Sequence, residues 1–343
     1  MNEMLFWVEA SPEAGIGHLI RCIALAQAAR LKGVQCLFLL NENARKIALT
    51  QHDWEFPIIA IKDSDDTAQI TKLILTSPPD VLVVDGYTLP VTVLTDIRQS
   101  IKSIVVLDDG ELRLTPYADV VINGASTEND STYRQQRNNV YCCTGSKYRL
   151  LRQNFLAIDI KPVALRHGIV ICFGGSDPAA LTIPLLKALD KTATQVPVRV
   201  ITGAANPDHK KIKNLCSKLR FPVQHIHQCQ DMAQAWVDAK LAISAAGGSQ
   251  FELGVCNTPS ILVKVAENQH SATQVAQAQG WCRAVGKDID INELVAMALA
   301  LYSDEKTLTE MQACSQGKYD ALGSERAIDA IVKVFSASDN DKN

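Results

Sequence analysis

Strand-length apolar runs alternate with amphipathic stretches along almost the whole chain. In the first half the runs fall at Met4–Val8, Val34–Leu40, Val81–Val84, Ile104–Leu107 and Val120–Ile122. In the second half they fall at Gly168–Phe173, Val198–Thr202, Val223–Ile226, Leu241–Ser244, Ser260–Val265 and Cys282–Val285. Between them lie helical patterns such as Ile20 to Leu31, where Ile20, Ile23, Ala24, Ala28 and Leu31 share one broad face. Strands that are apolar throughout, rather than at every second residue, must bury both faces. That requirement predicts parallel sheets covered by helices on each side.

Arg152 to His167 breaks the rhythm with Lys161-Pro162 and Arg166-His167, and reads as a linker. A chain of 343 residues is two domains by ordinary size. The predicted architecture is α/β and GT-B-like: two doubly wound (Rossmann-like) domains facing each other across a cleft. The expected bounds are 1–155, a linker at 156–167, a second domain at 168–335, and a polar, disordered tail at 336–343.

Composition excludes several classes of function. A net charge of −3 gives no basic surface for nucleic acid. No apolar run approaches the roughly 18 residues that span a bilayer, so no stable membrane insertion is expected. Met1–Glu9 reads as a strand without a basic n-region, so no signal peptide is expected and the location is cytoplasmic. The ten cysteines include no Cys-x-x-Cys pair, and Cys36 and Cys172 lie inside apolar runs, as buried, reduced thiols do. His225, His227 and Cys229 would share one strand face. A strand end meeting a helix capped by Asp231 explains them better than a metal, since no fourth ligand has matching spacing.

The chemistry-bearing residues collect at strand exits. Gly15-Ile16-Gly17-His18 follows the first strand and lacks the third glycine of a dinucleotide fingerprint, because Ile20 stands in its place. No P-loop pattern occurs. Glycines at such turns let backbone N–H groups approach an anion at a helix start, and His18 can exchange a proton near neutral pH. A helix-start or core role for His18 is an equal reading on position alone. Asp85-Gly86-Tyr87 and Asp108-Asp109-Gly110 leave the next strands at the same sheet edge, where acids often only cap turns. Only one of the adjacent Asp108 and Asp109 can easily point inward. In the second half, Phe173-Gly174-Gly175-Ser176-Asp177-Pro178 reads mostly as a helix start, with Ser176 or Asp177 as cap and Pro178 at the first helical position. Gly247-Gly248-Ser249 with Glu252 fits a capping box. It also fits a phosphate on the N–H groups with Glu252 accepting from ribose hydroxyls. Glu267-Asn268-Gln269 follows a later strand, with donors and acceptors suited to sugar hydroxyl and acetamido groups.

Taken in order, these segments, together with Leu19-Ile20-Arg21, Ala118–Asn123, Gly145–Arg152 and Ile243–Ala246, resemble the pseudaminic acid pathway hydrolases. That family removes UDP from UDP-2,4-diacetamido-2,4,6-trideoxy-β-L-altropyranose and is itself similar to the MurG-like glycosyltransferases of the GT-B fold. The resemblance covers Met4 to Gly286. It implies His18 as the general base on water, with Tyr87 and Asp85 also catalytic. It further implies Gly247, Gly248 and Ser249 on the pyrophosphate, Glu252 on ribose, and Asn268 and Gln269 on the sugar. Gly17, Arg21, Asp109, Gly174 and Ser176 complete the expected substrate site. No metal or other cofactor is implied, and the expected partners are a UDP-sugar and water; the sequence leaves the oligomeric state open. The chain departs from the family at Val8-Glu9, where Asp or Arg is common, and at Gly86, where a polar residue is common. A glycosyltransferase passing a similar sugar to an acceptor is the second reading, and a non-catalytic nucleotide-sugar binder the third. A transferase of this kind usually carries an apolar or basic membrane-facing patch; the first half shows no such run, which favours water as acceptor.

Overall fold

A computed structural model describes residues 1–11, 16–62 and 66–340. The chain divides into two compact units, Met1–Gln153 with Ala321–Asn343, and Asn154–Asp320. Gly15 and residues 341–343 lie outside the described residues.

The first unit holds seven strands: β1 (Glu3–Val8), β2 (Gln35–Asn41), β3 (Ile58–Ile61), β4 (Val81–Asp85), β5 (Ser103–Leu107), β6 (Val120–Asn123) and β7 (Tyr141–Thr144). Their order is β3-β2-β1-β4-β5-β6-β7, with every pairing parallel. Its helices are α1 (Gly17–Leu31), α2 (Glu42–Ala48), α3 (Thr67–Thr76), α4 (Val91–Ile97) and α5 (Asp130–Gln136). The second unit has β8 (Ile169–Cys172), β9 (Val198–Thr202), β10 (Val223–His227), β11 (Leu241–Ala245), β12 (Ser260–Lys264) and β13 (Cys282–Gly286), in the parallel order β10-β9-β8-β11-β12-β13. Helices α6 (Thr182–Lys191), α7 (His209–Cys216), α8 (Met232–Val237), α9 (Gly248–Val255), α10 (His270–Ala278), α11 (Ile291–Ser303) and α12 (Glu305–Ser315) surround it. The two parallel-sheet domains expected from the apolar runs are therefore present. Sequence reading missed β3 and β7, strands at opposite edges of one sheet that are only partly buried and so lack the continuous apolar run of the inner strands.

The continuous apolar strands bury both faces, as the pattern required. Along β1, Met4, Phe6 and Val8 enter the core beneath α1, whereas Leu5 and Trp7 enter a second core with Ile70, Leu94 and Ile97. Phe6 stacks on Phe38 of β2 at 4.7 Å. Complete burial of each such side chain contributes about 1.5–3 kcal/mol relative to exposure.

The expected boundaries need two corrections. Residues 156–167, taken as a linker, pack with the second unit. Arg166 is buried there, donating to the Thr258 hydroxyl at 2.9 Å and the Cys256 carbonyl at 3.1 Å. The last helix, α13 (Gly323–Asn340), belongs with the first unit and runs through most of the tail expected to be disordered. Its stripe of Ala327, Ile328, Ala330, Ile331 and Phe335 completes the first unit's core, which outweighs the polar character of its end. Gly323 at its start lies so close to the Arg149 carbonyl that an added Cβ would stand 2.7 Å from the carbonyl carbon. Gly323→Val should therefore destabilise the protein by about 1–3 kcal/mol, the usual scale of overpacking. An unchanged thermal midpoint would show that this junction yields without strain.

Candidate active site

Both sheets reverse their winding direction beside their first strand, between β1 and β4 in one unit and between β8 and β11 in the other. In doubly wound sheets the carboxyl ends of strands at such a switch point form the ligand crevice. Gly17, His18 and Arg21 follow β1, and Asp85 to Tyr87 follow β4. Gly174 to Ser176 follow β8, and Gly247 to Ser249 follow β11. Topology thus gathers these residues at one switch point in each unit, with Asp109 after the neighbouring β5 and Asn268 and Gln269 after the neighbouring β12.

In the first unit the residues make direct contact. His18 and Arg21 lie one turn apart on α1 and so share a face. The His18 Nδ1 stands 2.7 Å from Asp85 Oδ1. Arg21 grips the same carboxylate with Nε at 2.6 Å and Nη2 at 2.5 Å, and reaches Asp109 Oδ1 with Nη1 at 2.5 Å. The Tyr87 hydroxyl donates to Asp109 Oδ2 at 3.1 Å, and its ring meets His18 edge-on at 4.5 Å. His18 and Asp85 are buried, while Tyr87 remains 38% exposed.

The electrostatics set the charge states of the two carboxyls and the phenol. Burial alone would raise the Asp85 pKa, but Arg21 and then His18 override it and hold the carboxyl far below its usual range. The same contest, with Arg21 again decisive and Arg149 assisting, lowers Asp109. Burial and then the Asp109 carboxylate raise the Tyr87 phenol, so it stays protonated and donates. With Asp85 anionic, the hydrogen-bond network places the imidazole proton on Nδ1, where Asp85 accepts it. Arg21 Nη2, 3.0 Å from Nδ1, donates to the carboxylate instead. His18 Nε2 is then the ring nitrogen with a free lone pair. Asp85 is fully buried beneath His18 and Arg21. Asp108 points the other way: it accepts from Gly110 N and Leu112 N at 2.8 and 3.0 Å and from the Tyr133 hydroxyl at 2.7 Å. Of the adjacent pair only Asp109 joins the cluster.

In the second unit, Gly247 caps α9 without a side chain and Gly248 begins the helix. By contrast, Asn41, Asp231, Asp290 and Asp304 cap α2, α8, α11 and α12 with side-chain oxygens. The N-cap of α1, Ile16, likewise has no side-chain acceptor to offer. The starts of α1 and α9 thus lack a side-chain cap, as do those of α4, α5, α7 and α10. The turn after β8 is held instead by Asp177, which accepts from Leu181 N and Thr182 N at 3.0 and 2.9 Å. Pro178 is not at the first helical position, because Asp177 and Ala180 take left-handed backbone angles and α6 starts only at Thr182. Gly174, with φ +78°, and Ser176 stay half-buried in that turn.

Glu252 closes no capping box. One of its oxygens accepts from the buried Trp236 indole N–H at 2.9 Å, a partner that sequence reading missed. Gln269 spends its side-chain oxygen on Val265 N at 2.9 Å, while Asn268 is exposed. His225 and His227 share the Thr202 hydroxyl at 2.8 and 3.2 Å, and Asp231 caps α8, the bland reading of that segment. Among the described residues no group of three or more His, Cys, Asp or Glu is arranged to hold a metal ion, and no helix is long and apolar enough to cross a membrane. The cysteines among them are free thiols, outside any disulfide.

Residues 169–326 match the Glycosyltransferase family 28 C-terminal domain. Over 271 residues the chain is 24% identical to the uncharacterised protein MJ1062 of Methanocaldococcus jannaschii, covering 76% of this chain but only 55% of that one. It therefore spans about half the length of that relative. Over 307 residues it is 25% identical to the spore coat polysaccharide biosynthesis protein SpsG of Bacillus subtilis, covering 87% and 86% of the two chains. Acinetobacter baumannii MurG superposes with a TM-score of 0.66 at 16% identity, over 97% of this chain and 100% of that one. A putative UDP-N-acetylglucosamine 2-epimerase from Listeria monocytogenes superposes with 0.69 at 14% identity, over 99% and 98%. The fold is GT-B-like.

Proposed function

We propose that the protein is a metal-independent hydrolase of a UDP-linked diacetamido-trideoxy sugar, UDP-2,4-diacetamido-2,4,6-trideoxy-β-L-altropyranose. Its products would be UDP and the free sugar, a step toward pseudaminic acid-type glycans of flagellin or the cell surface. The carrying observation is the His18–Asp85 pair held by Arg21, which leaves one imidazole nitrogen as a base. Water attacks the anomeric carbon as His18 Nε2 takes its proton. The bond from that carbon to the diphosphate oxygen breaks, and UDP leaves with the electron pair. Asp85 stabilises the imidazolium that forms, and Tyr87 donates to the sugar or its phosphate. Arg21 and Asp109 hold this pair in register.

UDP is assigned to the second unit: diphosphate on the N–H groups of Gly247, Gly248 and Ser249, ribose on the free oxygen of Glu252, sugar near Asn268 and Gln269. The family 28 match over this unit and the GT-B-like fold support a nucleotide-sugar ligand. Gly248→Val should block the backbone approach and weaken UDP binding by about tenfold or more, roughly 1.4 kcal/mol. Unchanged affinity by calorimetry would overturn the assignment.

The same match supports a second reading, a MurG-like glycosyltransferase using a UDP-amino sugar donor. Release of UDP from a panel of UDP-sugars, followed with and without acceptor and in the presence of chelator, separates the two. Turnover without acceptor and without metal is the hydrolase result. UDP release that depends on an acceptor is the transferase result.

A further inference from the structure

Two residues that depart from the family pattern, Glu9 and Gly86, touch each other. Glu9 follows β1 and bonds through its N–H to the Asp85 carbonyl at 2.9 Å, extending the β1–β4 pairing by one residue. Its side chain then crosses the backbone of Gly86. A Cβ at position 86 would lie 2.6 Å from the Glu9 Cβ and 2.8 Å from Oε2, closer than real contacts allow. The carboxylate ends on Thr88, accepting from its N–H at 2.9 Å and from its hydroxyl at 2.8 Å. On the far side, Arg113 donates to the carbonyls of Tyr87 and Leu89 at 2.8 and 2.7 Å. Four polar groups that flank Tyr87 are thereby tied to two side chains from other strand exits. Three of these bonds are solvent-exposed, the Arg113–Leu89 bond is part-buried, and each is individually weak, but the close approach over Gly86 leaves the loop little alternative course.

We propose that Glu9 is a positioning residue: through Gly86 and Thr88 it sets the loop that holds Tyr87 against His18 and Asp109. The proposal deepens the hydrolase reading and rests on it only for its kinetic consequence. It also means the Glu9 carboxylate is engaged within the protein and acts neither as base nor on the sugar.

The test uses the full chain with ¹³C-labelled histidine, the His18 signal being identified by its loss in His18→Gln. Tyr87→Leu removes the ring that stands edge-on to His18, and the resulting shift calibrates its departure. Glu9→Ala and Gly86→Ala should each move the His18 signal the same way. Glu9→Gln should leave it near its wild-type position, because the amide oxygen accepts from Thr88 N–H while its NH₂ donates to the Thr88 hydroxyl. The double variant Glu9→Gly with Gly86→Ala removes the conflict with Glu9, leaving only the 3.0 Å approach to Leu89 Cγ, and should shift less than the two single changes added. In turnover, Glu9→Ala should lower kcat about 10- to 100-fold, as a displacement near 1 Å does, with UDP affinity unchanged and Glu9→Gln close to wild type. A His18 signal unmoved in Glu9→Ala and Gly86→Ala, but moved in Tyr87→Leu, overturns the proposal. So does a Glu9→Gln variant as impaired as Glu9→Ala, which would mean the charge itself acts. If the wild-type protein releases UDP from no UDP-sugar, the hydrolase reading fails while the resonance comparison still decides the role of Glu9.

Discussion

His18→Ala or His18→Asn should bind UDP almost as the wild type does while turnover falls by about 10²–10⁴, the contribution of a general base. The loss should appear in kcat far more than in nucleotide affinity, because the base acts in the transition state. Attack on carbon rather than phosphorus fixes the fate of the oxygen: hydrolysis in ¹⁸O-water should put the label on the sugar and none on UDP. Label in UDP would sink the mechanism. Wild-type turnover in His18→Asn would return His18 to a helix-start residue held by Asp85 for stability alone.

The second large effect belongs to Arg21. Its guanidinium is the main force holding the fully buried Asp85 ionised. Arg21→Met leaves that carboxylate in a low-dielectric site with little compensation, a change that typically costs about 3–5 kcal/mol. The sign of the pH dependence should reverse with it. In the wild type the folded Asp85 pKa lies below its unfolded value of about 3.9. Its stabilisation is therefore complete above that value and lost as pH falls through the folded pKa. In Arg21→Met burial dominates and raises the folded pKa, so stability should be greatest below the unfolded value and decline as pH rises through the new one. Thermal unfolding of both proteins from pH 4 to 8 gives the comparison. A variant whose midpoint does not fall with rising pH would show that His18 alone keeps Asp85 charged.

Much of this site was legible in the sequence, because parallel sheets deliver the residues after each strand to one edge. His18, Asp85 and Tyr87 could be placed together from strand ends alone. The division of labour between Asp108 and Asp109 could not, since it depends on Tyr133 waiting on one side and Arg21 on the other. Glu252 illustrates the same limit: spacing marked it as a cap or ribose ligand, whereas its nearest partner, the Trp236 indole, lies sixteen residues upstream. Glu9 and Gly86 stood out only as departures, and their mutual fit is a through-space fact. Arg149 lies in the Gly145–Arg152 segment, but its influence on Asp109 depends on the chain's return between Gly124 and Gly323. The last helix was misassigned for a related reason, because an apolar stripe announces burial without naming the surface that covers it.

That final helix has a consequence for how the molecule comes into being. Synthesis delivers β1 to β7 before the second unit, yet the core above them waits for Ile328, Ile331 and Phe335, which follow the whole of that unit. The segment between, Asn154 to Asp320, contains its own sheet and core and can close as soon as it is complete. The first unit thus begins to emerge before the second yet is completed after it, and until α13 is made the floor beneath His18 is an open apolar face of the kind that chaperones retain.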